Sequence, residues 1–233
     1  MDKRVCVVVG VGPGNGASIA RRFAGSGYAV ALVARSTTFT DALARTLGDA
    51  KAYACDVKSE NDVLATFKRV RDDMGDPDAL VYNAGSGIWG DFETITPAEF
   101  ESAWRVNALG ALLAARQVVS AMKRRGSGAI ILIGATASRR GVARTAAFAP
   151  AKAAQRSLAE SMARHLWPAG IHVALVIVDG VVDLERTRKA MPDKPGSFYV
   201  NPDDVAETTY WLSQQPRSAW AFEVEARPFG ESW

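Results

Sequence analysis

The chain has little of what would tie it to an oxidising compartment, a metal or a membrane. Two cysteines occur in 233 residues, Cys6 and Cys55. Each lies in an apolar run, so both are expected to be buried free thiols rather than a disulfide or redox pair, and no metal-ligand spacing accompanies them. No stretch reaches the roughly 18 consecutive apolar residues of a membrane span. Met1-Asp2-Lys3-Arg4 leads straight into a strand pattern without an apolar leader and cleavage site. A soluble cytoplasmic protein is the expectation. The formal net charge is only +3 and no Lys/Arg run exceeds three residues, which argues against a nucleic-acid surface. Internal repeats and linkers are also lacking, so one domain over 1–233 is expected.

What is present is a chain that is 48% hydrophobic, ample for a core at this length. Short apolar runs alternate with longer helical patterns. Strands are expected at Val5–Val9, Ala29–Ala34, Ala52–Cys55, Ala79–Tyr82, Ala129–Ile133, Ile171–Val178 and Phe222–Ala226. Helices are expected at Ala17–Ala24, Asp41–Leu47, from Ser59 to about Met74, from Thr96-Pro97 to about Arg125, at Phe148–Trp167, and from Asn201-Pro202 to before Pro216. This alternation gives an α/β fold class, a doubly wound parallel sheet with helices on both faces. One stretch, 180–200, is rich in Pro, Gly and charge and follows the sixth strand. A substrate lid at the carboxyl edge of the sheet is expected there.

Gly10, Gly14, Asn15 and Gly16 fall between the first strand and the first helix, with the glycines spaced G-x-x-x-G-x-G. Glycines permit a tight turn and close approach of a pyrophosphate, and a helix N-terminus offers free N–H groups and a positive dipole. A carboxylate about 20 residues further on would take the ribose hydroxyls of NAD. That carboxylate is lacking. Arg35 stands 19 residues after Gly16, followed by Ser36, Thr37 and Thr38, a set suited to a 2′-phosphate. NADP(H) is therefore favoured over NAD(H).

These residues, with others downstream, make the chain resemble a short-chain dehydrogenase/reductase over nearly its whole length. The glycine turn is similar to that family's. Asp56-Val57 matches its Asp-Val after the third strand, where the aspartate holds the adenine amino group. Asn83-Ala84-Gly85 matches its Asn-Ala-Gly after the fourth strand, and Asn107 its helical asparagine supporting a proton-relay water. Lys152 matches the lysine of Tyr-x-x-x-Lys. The resemblance implies a Rossmann fold of about seven strands, a nicotinamide cofactor, a small carbonyl or alcohol substrate, and a homodimer or homotetramer.

Two chemical positions depart from the pattern. Phe148 stands where the family has its tyrosine, in Phe148-Ala-Pro-Ala-Lys152, and Ala135 where it has its serine, 13 residues earlier. In the family mechanism the tyrosine exchanges the proton at the carbonyl oxygen, the serine bonds that oxygen, and the lysine holds ribose and lowers the tyrosine pKa. Asp179-Gly180 replaces the Pro-Gly that often follows the sixth strand, altering the loop near the nicotinamide. Replacement acids to weigh are Thr136, Ser138, Tyr199 and a water held by Asn107 and Lys152. Trp89, Phe92, Trp104 and Trp167 are pocket candidates, and Arg139, Arg140 and Arg144 sit where they would draw an anion. Two functions follow: an oxidoreductase with a non-standard proton donor, or a catalytically inactive NADP(H)-binding sensor or partner.

Overall fold

Strand β1 (Val5–Val9) is buried at all five positions, as an unbroken Val/Cys run covered on both faces must be. It pairs in parallel with β2 (Ala29–Ala34) on one side and β4 (Ala79–Tyr82) on the other. β3 (Ala50–Ala54), β5 (Gly128–Ala135), β6 (Ile171–Val178) and β9 (Glu223–Ala226) complete a seven-stranded, all-parallel sheet in the order β3-β2-β1-β4-β5-β6-β9. This computed structural model describes residues 3–230; the ends of the 1–233 reading lie outside the described residues.

Side chains alternate across β1, and the two faces have separate cores. Val7 and Val9 join Val63, Phe67, Val118 and Met122, from α3 (Glu60–Met74) and α5 (Gly110–Arg125), and Ala159 and Ala163 of α6 (Phe148–Leu166). Cys6 and Val8 join Ile19 and Phe23 of α1 (Asn15–Ala24), Leu43 of α2 (Thr38–Leu47), and Val205 and Leu212 of α8 (Pro202–Gln214). The architecture is Rossmann-like, and the expected doubly wound fold is observed. Cys6 and Cys55 are buried and free.

Local chemistry explains the helix starts. The Ser59 hydroxyl accepts the Asp62 N–H at 3.2 Å and donates to the Asp62 carboxylate at 3.0 Å, whose other oxygen accepts the Asp56 N–H at 3.4 Å, so the carboxylate does not close a box on the Ser59 N–H. Thr96 and Glu99 close a complete capping box at α4 (Pro97–Trp104).

The expected single helix from Pro97 to about Arg125 is interrupted. Arg105–Leu109 forms a π turn in which the Gly110 N–H reaches the Arg105 carbonyl. The Val106 carbonyl, released from the helical ladder, accepts the Tyr82 hydroxyl of β4. Glycine at 110 permits this, since a β-carbon there would lie 2.3 Å from the Tyr82 oxygen.

The stretch 180–200 is more ordered than its composition suggests. Val181–Val182 (β7) pairs in parallel with Tyr199–Val200 (β8), with the short helix α7 (Glu185–Ala190) between them. This ribbon lies over the carboxyl ends of the strands, beside the crossover between β1 and β4 where the chain order reverses.

Candidate active site

A cleft of about 990 Å³ opens beside the β1–α1 turn and runs to Arg35, Asp56 and Val57. Gly10 has φ +88°, and a β-carbon on it would lie 2.4 Å from the Ala84 backbone. A β-carbon on Gly16 would lie 2.5 Å from the Gly10 carbonyl oxygen. Glycine at these points therefore lets the β1 and β4 loops touch, and the Asn83 side-chain amide ties them by donating to the Gly10 carbonyl at 2.7 Å. The first turn of α1 has no side-chain cap and no acidic residue. The Ala17 N–H is taken by the Gly12 carbonyl at 3.2 Å, and the Asn15 and Gly16 amides ahead of it are the ones available to an anion. Arg35 is exposed at the far end and has no ion pair among the described residues, while Ser36 lies beside it. Asp56 accepts the Lys58 N–H at 3.1 Å and pairs loosely with its ammonium at 3.8 Å. A long groove with an anion-receptive turn at its centre and a cation at one end fits a phosphorylated dinucleotide.

A second cavity of about 680 Å³ continues from Gly10, Asn83 and Gly85 to Ala135, Thr136, Phe148, Lys152 and Gly180. Lys152 is the buried cation of the site. Its Nζ donates to the Ile133 carbonyl at 2.8 Å and to Gln155 Oε1 at 3.0 Å. Burial pushes its pKa down to about 7. Asn107 is held by the π turn and donates to the Ala103 carbonyl at 2.8 Å, leaving its buried Oδ1 without a partner among the described residues. A β-carbon placed on Gly85 would lie 3.4 Å from Asn107 Oδ1 and 3.8 Å from Lys152 Nζ, so both groups face the same point.

Phe148 offers no proton; its ring packs on Trp89 with centroids 5.2 Å apart. Ala135 lines the cavity with a methyl group. The hydroxyls near it do not present a proton to the cavity. Thr136 donates to the Asp179 carboxylate, which is also held by Arg227 and has Arg140 at 3.7 Å. An ionised carboxylate has no proton to return, so Thr136 meets the cavity with lone pairs. The Ser138 hydroxyl is buried and accepts the Ala135 N–H at 3.1 Å, which leaves its proton uncommitted, but the side chain lies outside the cavity lining. Tyr199 is buried in the ribbon and donates to the Met191 carbonyl at 2.7 Å.

Of the aromatic candidates, Trp89 lines the cavity. Phe92 and Trp104 are exposed outside it, and Trp167 packs against His172 and Trp220. Arg140 lines the cavity, whereas Arg139 pairs with Glu223 and Glu225 on β9. Arg144 is exposed beyond the cavity lining. Sequence reasoning missed the Asp179–Arg227 pair, whose members are 48 residues apart. It also missed Gln155, although its spacing of three from Lys152 on one helix was readable.

The family described as "short chain dehydrogenase" matches residues 4–194. The 3-oxoacyl-(acyl-carrier-protein) reductase MabA of Mycobacterium bovis is 30% identical over 223 residues, 92% of this chain and 87% of that protein. The bovine (Bos taurus) 3-oxoacyl-(acyl-carrier-protein) reductase is 28% identical over 222 residues, 93% of each chain. Among solved structures, a metagenomic short-chain oxidoreductase in complex with NADP superposes with TM-score 0.85 at 31% identity, covering 98% of both chains. Matches of this extent leave little of the chain outside the resemblance, and the chain belongs to the short chain dehydrogenase family of oxidoreductases.

Proposed function

We propose that the protein is an NADP(H)-dependent oxidoreductase that interconverts a small carbonyl compound and its alcohol, with Lys152 in place of a phenol as the proton source. One observation carries this reading: a buried ammonium whose pKa is lowered to about 7 shares the cavity with the positions that lack the family hydroxyls. A group titrating near the working pH is suited to general acid–base chemistry. Lysine at its ordinary value of 10.5 would hold its proton too tightly.

The bound nicotinamide supplies or accepts the hydride. In the reductive direction Lys152 gives a proton to a water held between Nζ and Asn107 Oδ1, and that water protonates the substrate oxygen. Lys152 regains its proton from solvent. Phe148 and Trp89 form an apolar wall that orients the carbonyl and keeps bulk water from it. Arg35 and Ser36 would hold the 2′-phosphate, the α1 N-terminus and Asn15 the pyrophosphate, Asp56 and Val57 the adenine, and Asn83, Ala84, Gly85 and Gly180 would line the path to the nicotinamide. The solved NADP complex of the metagenomic relative supports the same cofactor choice. The protein acts as one domain with a lid at 180–200, as a homodimer or homotetramer in the cytoplasm. Exposed Phe100 and Trp104 on α4 suit a subunit contact, and no helix among the described residues is long and apolar enough to cross a membrane.

A second reading is favoured by the joint loss of hydroxyls at Ala135 and Phe148: a protein that binds NADP(H) without turnover. NADPH oxidation against a broad carbonyl panel separates the two, run on wild type, Lys152→Met and Ala135→Ser/Phe148→Tyr. Turnover in wild type that Lys152→Met removes supports the proposal. Turnover in the double variant alone would establish the binding protein.

A further inference from the structure

Gln155 lies in the middle of α6, fully buried, on the helix stripe that continues to the core residues Ala159 and Ala163. Its Oε1 accepts from Lys152 Nζ, while its buried Nε2 has no partner among the described residues. A stranded buried donor lowers stability, and an apolar side chain would fit this stripe without that cost. The amide is therefore not explained by packing. An ammonium has three protons and accepts nothing. One goes to the Ile133 carbonyl and one to Gln155, which leaves the third for the side facing Gly85 and Asn107.

We propose that Gln155 is a positioning residue that, with the Ile133 carbonyl, fixes the Lys152 ammonium so that its one uncommitted proton is aimed into the cleft beside Asn107. The inference rests on Lys152 being the proton source. In the family arrangement a tyrosine presents the proton and the lysine acts on it indirectly. Here the orientation of the ammonium decides whether a proton reaches the substrate. The groups that β5, the π turn and the loop after β4 bring to Lys152 are the Ile133 carbonyl, the Asn107 amide and Gly85, none charged, so its titration answers directly to the side chain at 155.

The experiment compares wild type, Gln155→Glu and Gln155→Leu, with Lys152→Met to assign the signal. The titration of Lys152 is followed by NMR of ¹³C-lysine-labelled protein without cofactor, beside the pH profile of turnover and the melting temperature. A carboxylate at 155 is expected to raise the Lys152 midpoint by about one unit or more, and leucine to lower it. The Gln155→Leu protein should melt at or above wild type while losing turnover at neutral pH. An unchanged Lys152 midpoint in the variants overturns the proposal, as does a melting temperature lowered in Gln155→Leu with the midpoint fixed. Each variant reads independently if the other does not fold. A midpoint that moves while the turnover profile stays put leaves Gln155 as the positioning residue and removes Lys152 as proton donor.

Discussion

Between β1 and β4 the cleft is lined largely by glycines and main-chain groups, whereas beyond Gly85 it is lined by side chains that carry a proton or conspicuously lack one. The first region depends on shape. Gly10 and Gly16 allow two loops into contact, and Asn83 fixes them, so almost any disturbance is a steric one. The second depends on a few polar atoms at the inner end of the cavity. There Lys152, Asn107, Gln155 and Thr136 each have their bonds directed, and Ala135 and Phe148 bring apolar side chains to the same cavity. The contrast teaches that binding and chemistry are separable in this molecule, because they rest on different kinds of contact.

The largest test of that separation is the restored pair. Ala135→Ser/Phe148→Tyr is expected to raise turnover by about 10²–10⁴-fold, the usual worth of a positioned acid. NADPH affinity, measured by fluorescence titration, should stay within about twofold. If affinity moved as far as turnover, the two regions would not be independent. Next comes the far end of the groove. Arg35→Glu removes a charge-assisted contact and should weaken NADPH binding by roughly 10- to 100-fold with little change for NADH, as measured by calorimetry.

The third test uses pH. A donor must be protonated, so reductive turnover should be level below about pH 7 and fall about tenfold per unit above it, with NADPH saturation checked at each pH. The restored double variant should lose that dependence. The last test reads stability. Below about pH 7 Lys152 is charged whether folded or unfolded, and its burial counts fully against folding. Between there and its ordinary value of 10.5 the folded site has released a proton that the unfolded chain retains, so stability rises with pH. Relative to Lys152→Met, the wild type should gain up to about 1.4 kcal/mol per pH unit across that window, read by chemical denaturation.

Much of this was legible in the chain. Strands such as Val5–Val9 and Ile171–Val178 are buried on both faces and announce themselves as unbroken apolar runs. The glycine turn and Thr96-Pro97 were readable because their roles are set by neighbours only a few residues away. Lys152 and Phe148 were readable as positions, but not the bonds made by the lysine. Its partners are a carbonyl 19 residues back and an amide that a helical stripe would have given to an apolar residue. The commitments of Thr136 and Tyr199 were likewise invisible, since each depends on a partner supplied by the folded loops. The break at Arg105–Leu109 had only Gly110 as a local signal, because the hydroxyl its freed carbonyl binds is on β4, 24 residues away.

That break has a geometric consequence. A π turn takes up one additional residue within a run of α-helix and absorbs the roughly 100° that residue would add, so the segments on either side keep their faces. Pro97–Trp104 and Gly110–Arg125 are thus one residue out of α-helical count. Winding all of these residues into regular α-helix would rotate one half by that angle against the other. Either Leu113 and Val118 would leave the core beneath the sheet, or Ala103 would leave its small cluster with Ala147 and Ala151. The helix is therefore a two-part rod, and the π turn between its halves lets both faces reach their cores despite the additional residue.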